Sequence, residues 1–591
     1  MRKPYFAYRS FRKELEAKKD FAGIGVRQFC VFPGNTANGL GEPYSEYPSI
    51  WKWFDSYDFA PLDEQIQDVL KICPDAELLL IIDLNSPLWL ARQLGTRSIP
   101  SDSFPNLTGC LCEDVWCREV TKYMEEVIDY VRSKYDDHLS CVMLACGTTD
   151  EWMDYSTGTE TAGRLKKFKE WSIRQGFPEP AEVPNDLRRF DAPHDGVFRD
   201  PQKNQDALRY WKFHSELVAD GICGFASAAR KKLRPDQELG AFYGYVMELA
   251  YNRIVQNGHL AYEKLLDSGL IDFFMSPGCY EDRAMGGAGG FMNLNGTIHR
   301  HGKHYLHELD HRTHSGNMQL TEHVKLEWLG AWPDVKSDLA GLRREFCRTL
   351  AHGASLWWFD MWGGYYKDPA VLEAIGQMQE IWDELADRNT EPDSEIAIFV
   401  DPDSILYLND RNVEVRYPEV FISLQTKINR IGAPCAMYDI SDIPHLPKTF
   451  KLIILPFWIE VTPEKLKQLE TAFPDARELW YGPAGLTDGI RWEKQPLDGT
   501  FAHDFLDFTV EDLRREAISA GVHMFSDINL PIWATDHFLS CHSAESGVKE
   551  FRLKKPVKRI VERFSNKTIA VDTDIFTYPF DGPETALFVW E

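Results

Sequence analysis

The strongest constraint on how this chain can fold is an alternation. Short apolar runs suited to buried strands recur along the first two thirds of the sequence, with longer stretches of helical character between them. The strand candidates are Pro4 to Tyr8, Val26 to Phe32, Leu78 to Leu84, Cys141 to Cys146, Leu239 to Val246, Ile271 to Met275, His304 to Leu309 and Ala354 to Met361. The intervening stretches have helical spacing. In Val115 to Tyr135, for instance, Val120, Met124, Val127, Ile128 and Val131 fall on one face. Eight short apolar strands separated by helices predict a (β/α)8 barrel. An open, doubly wound sheet is the alternative, but no G-x-G-x-x-G or G-x-x-x-x-G-K-[ST] follows the early strands. The Gly286 to Gly290 run opens no clear helix and reads as a packed or mobile loop.

A chain of 591 residues is too long for one ordinary core. The barrel is expected over residues 1–390, with a proline-containing polar insert from Tyr155 to Pro201. After the polar run Asn389 to Asp393, a smaller flavodoxin-like α/β unit is expected over 391–500, and a connecting segment to about 540. Cys435 lies between Pro434 and Ala436 without the strand-to-helix elbow a nucleophilic thiol needs, so this unit reads as structural. Alternating runs such as Val557 to Phe564 and Ala586 to Trp590 predict a small antiparallel β-domain over 541–591.

The formal net charge of −26 argues against nucleic acid or an anionic membrane as the main partner. No apolar run reaches the length of a membrane span, and the basic N-terminus lacks the apolar core of a signal peptide. The cysteines are scattered, several of them within strands, which suggests a reduced, cytoplasmic protein. Cys110, Cys112 and Cys117 form one local cluster, but three thiols at uneven spacing with no obvious fourth ligand make a poor metal site. No cofactor or metal is expected. The 18 tryptophans suit core packing and also stacking on the flat faces of sugars.

The stretch Gly302 to His314 admits two chemistries. As a helix, His307-Glu308-Leu309-Asp310-His311 matches H-E-x-x-H, with His307 and His311 one turn apart as zinc ligands and Glu308 as general base. As a strand, it sets Glu308 at the rim of the barrel, where it can act as a nucleophile. The apolar residues Tyr305, Leu306 and Leu309 are too few for a buried helix, and Gly302 and Ser315-Gly316-Asn317 bracket the run closely. The strand reading is preferred.

Functional side chains of such barrels stand at the C-terminal ends of strands and in the loops that follow. Glu151 lies just past the fourth strand and Glu308 ends the seventh. Around the same rim fall Asn35, Asp83, Asn85, Trp89, Asp150, Tyr243, Tyr245, Tyr280, Arg283, Trp358, Asp360 and Trp362. Two carboxyl groups among aromatic and amide side chains suit cleavage of a sugar acetal: one protonates the leaving oxygen and the other attacks the anomeric carbon. Each residue also has a plainer reading, with the acids as solvated loop carboxylates and the tryptophans as core.

Gly147-x-x-Asp150-Glu151-Trp152, His304-Tyr-Leu-His-Glu-Leu-Asp310 and Trp357-Trp-Phe-Asp-Met-Trp-Gly-Gly364 resemble the corresponding motifs of retaining β-glycosidases. The closest likeness is to the β-galactosidases of glycoside hydrolase family 42, and it extends over nearly the whole chain. The resemblance implies Glu151 as acid/base and Glu308 as nucleophile, a β-galactoside or oligosaccharide substrate, and a homotrimer assembled through the α/β unit. It also implies carboxyl groups about 5–5.5 Å apart, an ionised Glu308 and a protonated Glu151. The chain departs from the pattern at Asp150, where the clan has Asn beside the sugar 2-hydroxyl, and in its cysteine spacing. A β-mannosidase of the same three-domain plan is the alternative.

Overall fold

The computed structural model describes residues 3–38, 41–95, 106–155, 161–248, 253–317, 330–411, 419–447, 449–492 and 508–591. The eight expected strands are present: β1 (Phe6–Arg9), β2 (Gln28–Val31), β3 (Glu77–Asp83), β4 (Leu139–Ala145), β5 (Glu238–Phe242), β6 (Phe273–Pro277), β7 (His304–Leu309) and β8 (Ser355–Phe359). All neighbours pair in parallel and β1 closes against β8, so the sheet is a complete barrel. Nearly every residue of these strands is buried, because side chains on one pleat face fill the barrel while those on the other meet the surrounding helices.

The helices follow from their apolar stripes. Asp114–Tyr135 buries Trp116, Val120, Tyr123, Met124, Val127, Ile128 and Val131 on one side. Val335–Ala351 starts at Asp334, whose side chain accepts from the Ser337 N–H and so satisfies one of the unpaired donors of the first turn.

Residues 304–309 are a strand, and this decides the ambiguity at H-E-x-x-H. In a strand His307 and Glu308 point to opposite faces. His307 turns outward to Glu345 and Arg348, each 3.3 Å away, on the helix preceding β8. His311 instead lies 3.7 Å from the Trp332 ring. The geometry of two imidazoles one helical turn apart, which the zinc reading requires, is absent. Among the described residues no group of three or more His, Cys, Asp or Glu side chains is arranged to hold a metal ion.

Beyond the barrel, β9 (Ile396–Val400), β10 (Ala436–Asp439), β11 (Leu452–Pro456) and β12 (Arg477–Tyr481) form a parallel sheet in the order β10-β9-β11-β12. An antiparallel sheet follows, built from β13 (Ile532–Ala534), β14 (Phe538–Ser543), β15 (Gly547–Glu562), β16 (Lys567–Phe580) and β17 (Glu584–Trp590). Both sheets are tied to the barrel by polar contacts. Thr297 donates to Asp442 and Thr585 donates to the Ala340 carbonyl. The insert after β4 carries a helix, Ala162–Arg174, and its buried Arg199 donates to the carbonyls of Leu406 and Leu408. The insert therefore braces the barrel against the α/β unit. Among the described residues no helix is long and apolar enough to cross a membrane.

Candidate active site

Glu151 is presented by a tight, strained loop. Gly147 has φ +77°, and a Cβ there would fall 2.8 Å from the Met153 carbonyl oxygen, so only glycine fits. Thr149, Asp150 and Trp152 all have positive φ, between 56° and 64°, a conformation costing such residues about 1–3 kcal/mol each. Pairing overcomes that cost. The Thr148 N–H donates to the Met153 carbonyl at 2.8 Å, and the buried Trp152 indole donates to Leu144 at 2.8 Å. His259 completes the clamp: its Nδ1 accepts from the Gly244 and Tyr245 amides, so Nε2 carries the proton and donates to the Glu151 carbonyl at 3.0 Å. Burial keeps this imidazole neutral, with its pKa down to about 3.

Among the described residues the Glu151 side chain receives only neutral hydroxyls, from Tyr245 at 3.0 Å on Oε1 and from Thr149 on Oε2. Burial pushes its carboxyl up to about 7, against the pull of those hydroxyls and of Arg9.

Glu308 is held differently. Arg9, at the end of β1, donates to its Oε2, and the Trp357 indole donates to the same oxygen at 3.1 Å. Trp357 stands directly opposite Glu308 in the β7–β8 register, so both side chains enter the barrel at one level. Among the described residues Oε1 of Glu308 has no hydrogen-bond partner, leaving its lone pairs free. Arg9 is itself enclosed by rings, its guanidinium 4.2 Å from the Phe359 centroid and 4.8 Å from that of Trp357. Burial raises the Glu308 pKa to about 8, Arg9 opposes this, and Asp310 and Glu151 add to the rise. Against the expectation of a readily ionised Glu308, burial lifts both carboxyls, and Glu151 adds to the rise at Glu308. Their partners differ: a guanidinium and an indole N–H favour the anion on Glu308, while hydroxyls can donate to or accept from a protonated Glu151.

A buried polar ladder extends from the β4 loop to β3. Asp83 accepts from the Asn35 amide at 2.6 Å, from the Thr36 amide and hydroxyl, each at 3.0 Å, and from the Asn85 amide at 2.9 Å. Among the described residues Asp150 accepts only from Asn85 Nδ2, and burial together with the neighbouring Asp83 drives its carboxyl well above the usual range. Burial raises both carboxyls, and Asp150 the further of the two, because Asp83 has the backbone donors of Asn35 and Asn85 to favour its anion. Asn35, Asp83, Asn85 and Asp150 are thus brought together beside Glu151 as a scaffold.

The other residues expected at the rim divide. Tyr280 and Arg283 are at the mouth, both bound to Asp310, at 3.1 and 2.8 Å. Trp89, in the loop after β3, packs against Trp53 and Phe54 and touches neither glutamate. Tyr243 turns away, its hydroxyl on the Gly258 carbonyl; Tyr245 is the tyrosine that reaches Glu151. Trp358 faces the outer helices beside Phe6 and Tyr366, Asp360 is tied to Tyr8 and Tyr365, and Trp362 packs on Phe11. None of these three contacts either glutamate in the structure. Sequence reasoning did not single out Arg9, Trp357 and His259. The signals were slight: one cation ending an apolar run, and the first of two adjacent tryptophans. Cys110, Cys112 and Cys117 are free thiols, the first two buried, near helix starts outside the mouth.

A closed parallel barrel with two glutamates at the ends of β4 and β7, followed by a parallel and an antiparallel sheet, defines the class of fold. No family model matches the sequence, and neither does any curated protein. Solved structures do match over the full length. A β-galactosidase from Bacillus circulans sp. alkalophilus superposes with a TM-score of 0.65 at 12% identity, covering 100% of this chain and 99% of its own. Gan42B, a GH42 β-galactosidase from G. stearothermophilus, gives 0.64 at 11% identity, with 99% and 98% covered. A β-galactosidase from Halorubrum lacusprofundi gives 0.63 at 12% identity, with 99% of each chain covered. The chain thus has the three-part fold of the GH42 β-galactosidases.

Proposed function

We propose that the protein is a retaining, exo-acting β-glycosidase that hydrolyses terminal β-galactosides, with Glu308 as nucleophile and Glu151 as acid/base. One observation carries this reading: the two glutamates at the barrel mouth are held in opposite ways. Glu308 has Arg9 and Trp357 on one oxygen and the other oxygen unshared, as an attacking carboxylate requires. Glu151 is half-buried against two hydroxyls, its pKa raised to about 7, as a proton donor requires. In the first step Glu308 Oε1 attacks the anomeric carbon while Glu151 delivers its proton to the glycosidic oxygen. In the second, Glu151 takes a proton from water, which displaces Glu308. Arg9 and the Trp357 indole bind the carboxylate that is released. The full-length likeness in fold to proteins named β-galactosidases supports galactose as the sugar.

The reading includes a reducing, cytoplasmic location, with all twelve cysteines free, and a homotrimer, to be checked by light scattering. The deciding experiment is a panel of aryl β-galactoside, mannoside, glucoside, fucoside and arabinoside, with a β-mannoside as the second choice because Asp150 stands beside the acid. Glu308→Gln should abolish turnover of the aryl glycoside. Glu151→Gln should slow poorly activated substrates far more than activated aryl ones. Equal loss on both would remove Glu151 from its role.

A further inference from the structure

The loops after β2 and β3 build an aromatic surface that the hydrolytic chemistry above leaves unused. A short hairpin pairs Trp51–Trp53 with Ser56–Tyr57. It is held from beneath: Trp51 stacks on Tyr123 of the helix Asp114–Tyr135, with centroids 4.5 Å apart and planes within 2°. Lys122 of that helix pairs with Asp55 at the hairpin turn. From the loop after β3, Trp89 donates its indole N–H to the Trp51 carbonyl at 3.2 Å. On this base stand Trp53, 4.8 Å from Trp89 and tilted by 33°, and Phe54, edge-on to Trp89 at 5.1 Å. Trp53 is 45% exposed although hydrophobic neighbours surround its base. A lone exposed ring needs no explanation, but three contiguous rings on a rigid backing form a ready-made stacking surface.

Its place in the fold indicates what it could stack on. The hairpin and Trp89 follow β2 and β3, so they lie at the end of the barrel that carries the two glutamates. They connect to Glu151 through polar contacts. Ser49, just before the hairpin, donates to Asn35; Asn35 is bound to Asp83; and Asp83 and Asn85 support Asp150, the neighbour of Glu151. Among the described residues no such ladder runs to Glu308, which sits three strands further round and is bound from β1 and β8. The proton of an acid/base residue goes to the oxygen of the departing group, so that group extends past Glu151 on the side away from the nucleophile.

We infer that the Trp53–Trp89–Phe54 surface is a subsite for the leaving group, taking the apolar face of a second sugar ring on the reducing-end side of the scissile bond. This rests on Glu151 being the proton donor. The polar rim supplied by Ser49 and Asn35 suits the hydroxyls of such a ring.

The test compares β-1,4-galactobiose, whose leaving group is a sugar, with β-galactosyl fluoride, whose leaving group has no ring. Trp53→Ala should lower the ratio of kcat/KM for the disaccharide to that for the fluoride by about fivefold, the scale of one stacked ring pair. Trp53→Phe should restore most of it. An unchanged ratio, or equal losses on both substrates, overturns the inference. Should the parent protein turn over neither compound, the proposed hydrolytic function fails. The subsite is then judged by quenching of tryptophan fluorescence on titration with galactobiose. Quenching in the parent that is lost in Trp53→Ala supports it, and no quenching in the parent, or equal quenching in both, overturns it.

Discussion

Arg9, the last residue of β1, donates its guanidinium to Oε2 of Glu308, the penultimate residue of β7, although 299 positions separate them in sequence. Barrel closure makes the contact: β1 pairs with β8 and β8 with β7, so the first and seventh strands are only one strand apart. The ion pair is almost fully enclosed, with side-chain exposures of 6% and 6%. A pair so placed gives little net stability, because desolvation offsets the attraction. Removing one partner strands the other buried charge, which should cost about 3–5 kcal/mol of stability as well as impair the chemistry.

Arg9→Met should therefore lower kcat on an aryl β-glycoside by about 100-fold or more, the loss typical of deleting one aimed donor from a buried site. Arg9 is the leading interaction that lowers the Glu308 pKa. Without it the pKa rises, and the acid limb of the pH profile should move to higher pH. Loss of rate with an unmoved acid limb would show that Arg9 acts on folding and not on the carboxylate.

The parent enzyme should have a bell-shaped profile of kcat/KM. In the proposed mechanism activity requires Glu308 ionised and Glu151 protonated, so the two together must hold one proton. As pH falls Glu308 takes a second proton and the nucleophile is lost; as pH rises Glu151 loses its proton and the acid is lost. Burial lifts both groups, to about 8 and about 7, so both limbs should fall in the neutral to mildly alkaline range. An acid limb near 4.5 would mean that Glu308 is far better solvated than its surroundings indicate.

Adjacent tryptophans on β8 should behave oppositely. Trp357→Phe removes the indole N–H that donates to Glu308, and kcat should fall by about tenfold or more, the cost of one hydrogen bond to a charged group. Trp358 faces the helices, and its indole nitrogen has no acceptor among the described residues. Trp358→Phe therefore deletes an unsatisfied donor, so kcat should stay within about twofold and stability within about 1 kcal/mol. Steady-state rates with urea unfolding of both variants check the pair.

That contrast marks the limit of what the sequence could reveal. The strands were legible because continuous apolar runs leave little else for them to be, and Glu151 and Glu308 were legible because they stand where such runs end. Facing was not. In β8 every residue is buried, so no polar alternation identifies the inward pleat, and Trp358 was as good a candidate as Trp357. Tyr243 and Tyr245 were indistinguishable for a related reason: both lie past β5 in a loop whose course depends on His259. Arg9 reads as an ordinary charged strand end until closure brings β7 near it. Local pattern gave the elements and their ends, while pairing through space decided which side chains meet.

Asp360 offers a test of burial away from the glutamates. It is fully buried, accepts from the Tyr8 hydroxyl at 2.9 Å and from the Tyr365 amide at 2.9 Å, and burial holds its pKa up at about 7. An unfolded aspartate releases its proton near pH 4, so between about 4 and about 7 the folded chain keeps a proton that the unfolded chain has lost. Stability from this group is therefore fully present below about pH 4 and declines as pH rises to about 7, by up to about 4 kcal/mol. Asp360→Asn replaces the acid with an amide of the same shape, whose oxygen can accept from Tyr365 and whose nitrogen can donate to Tyr8. The variant should match the parent near pH 4 and exceed it increasingly up to pH 8, with a difference in urea midpoint that grows across the interval. A difference independent of pH would mean that Asp360 is already ionised in the folded protein.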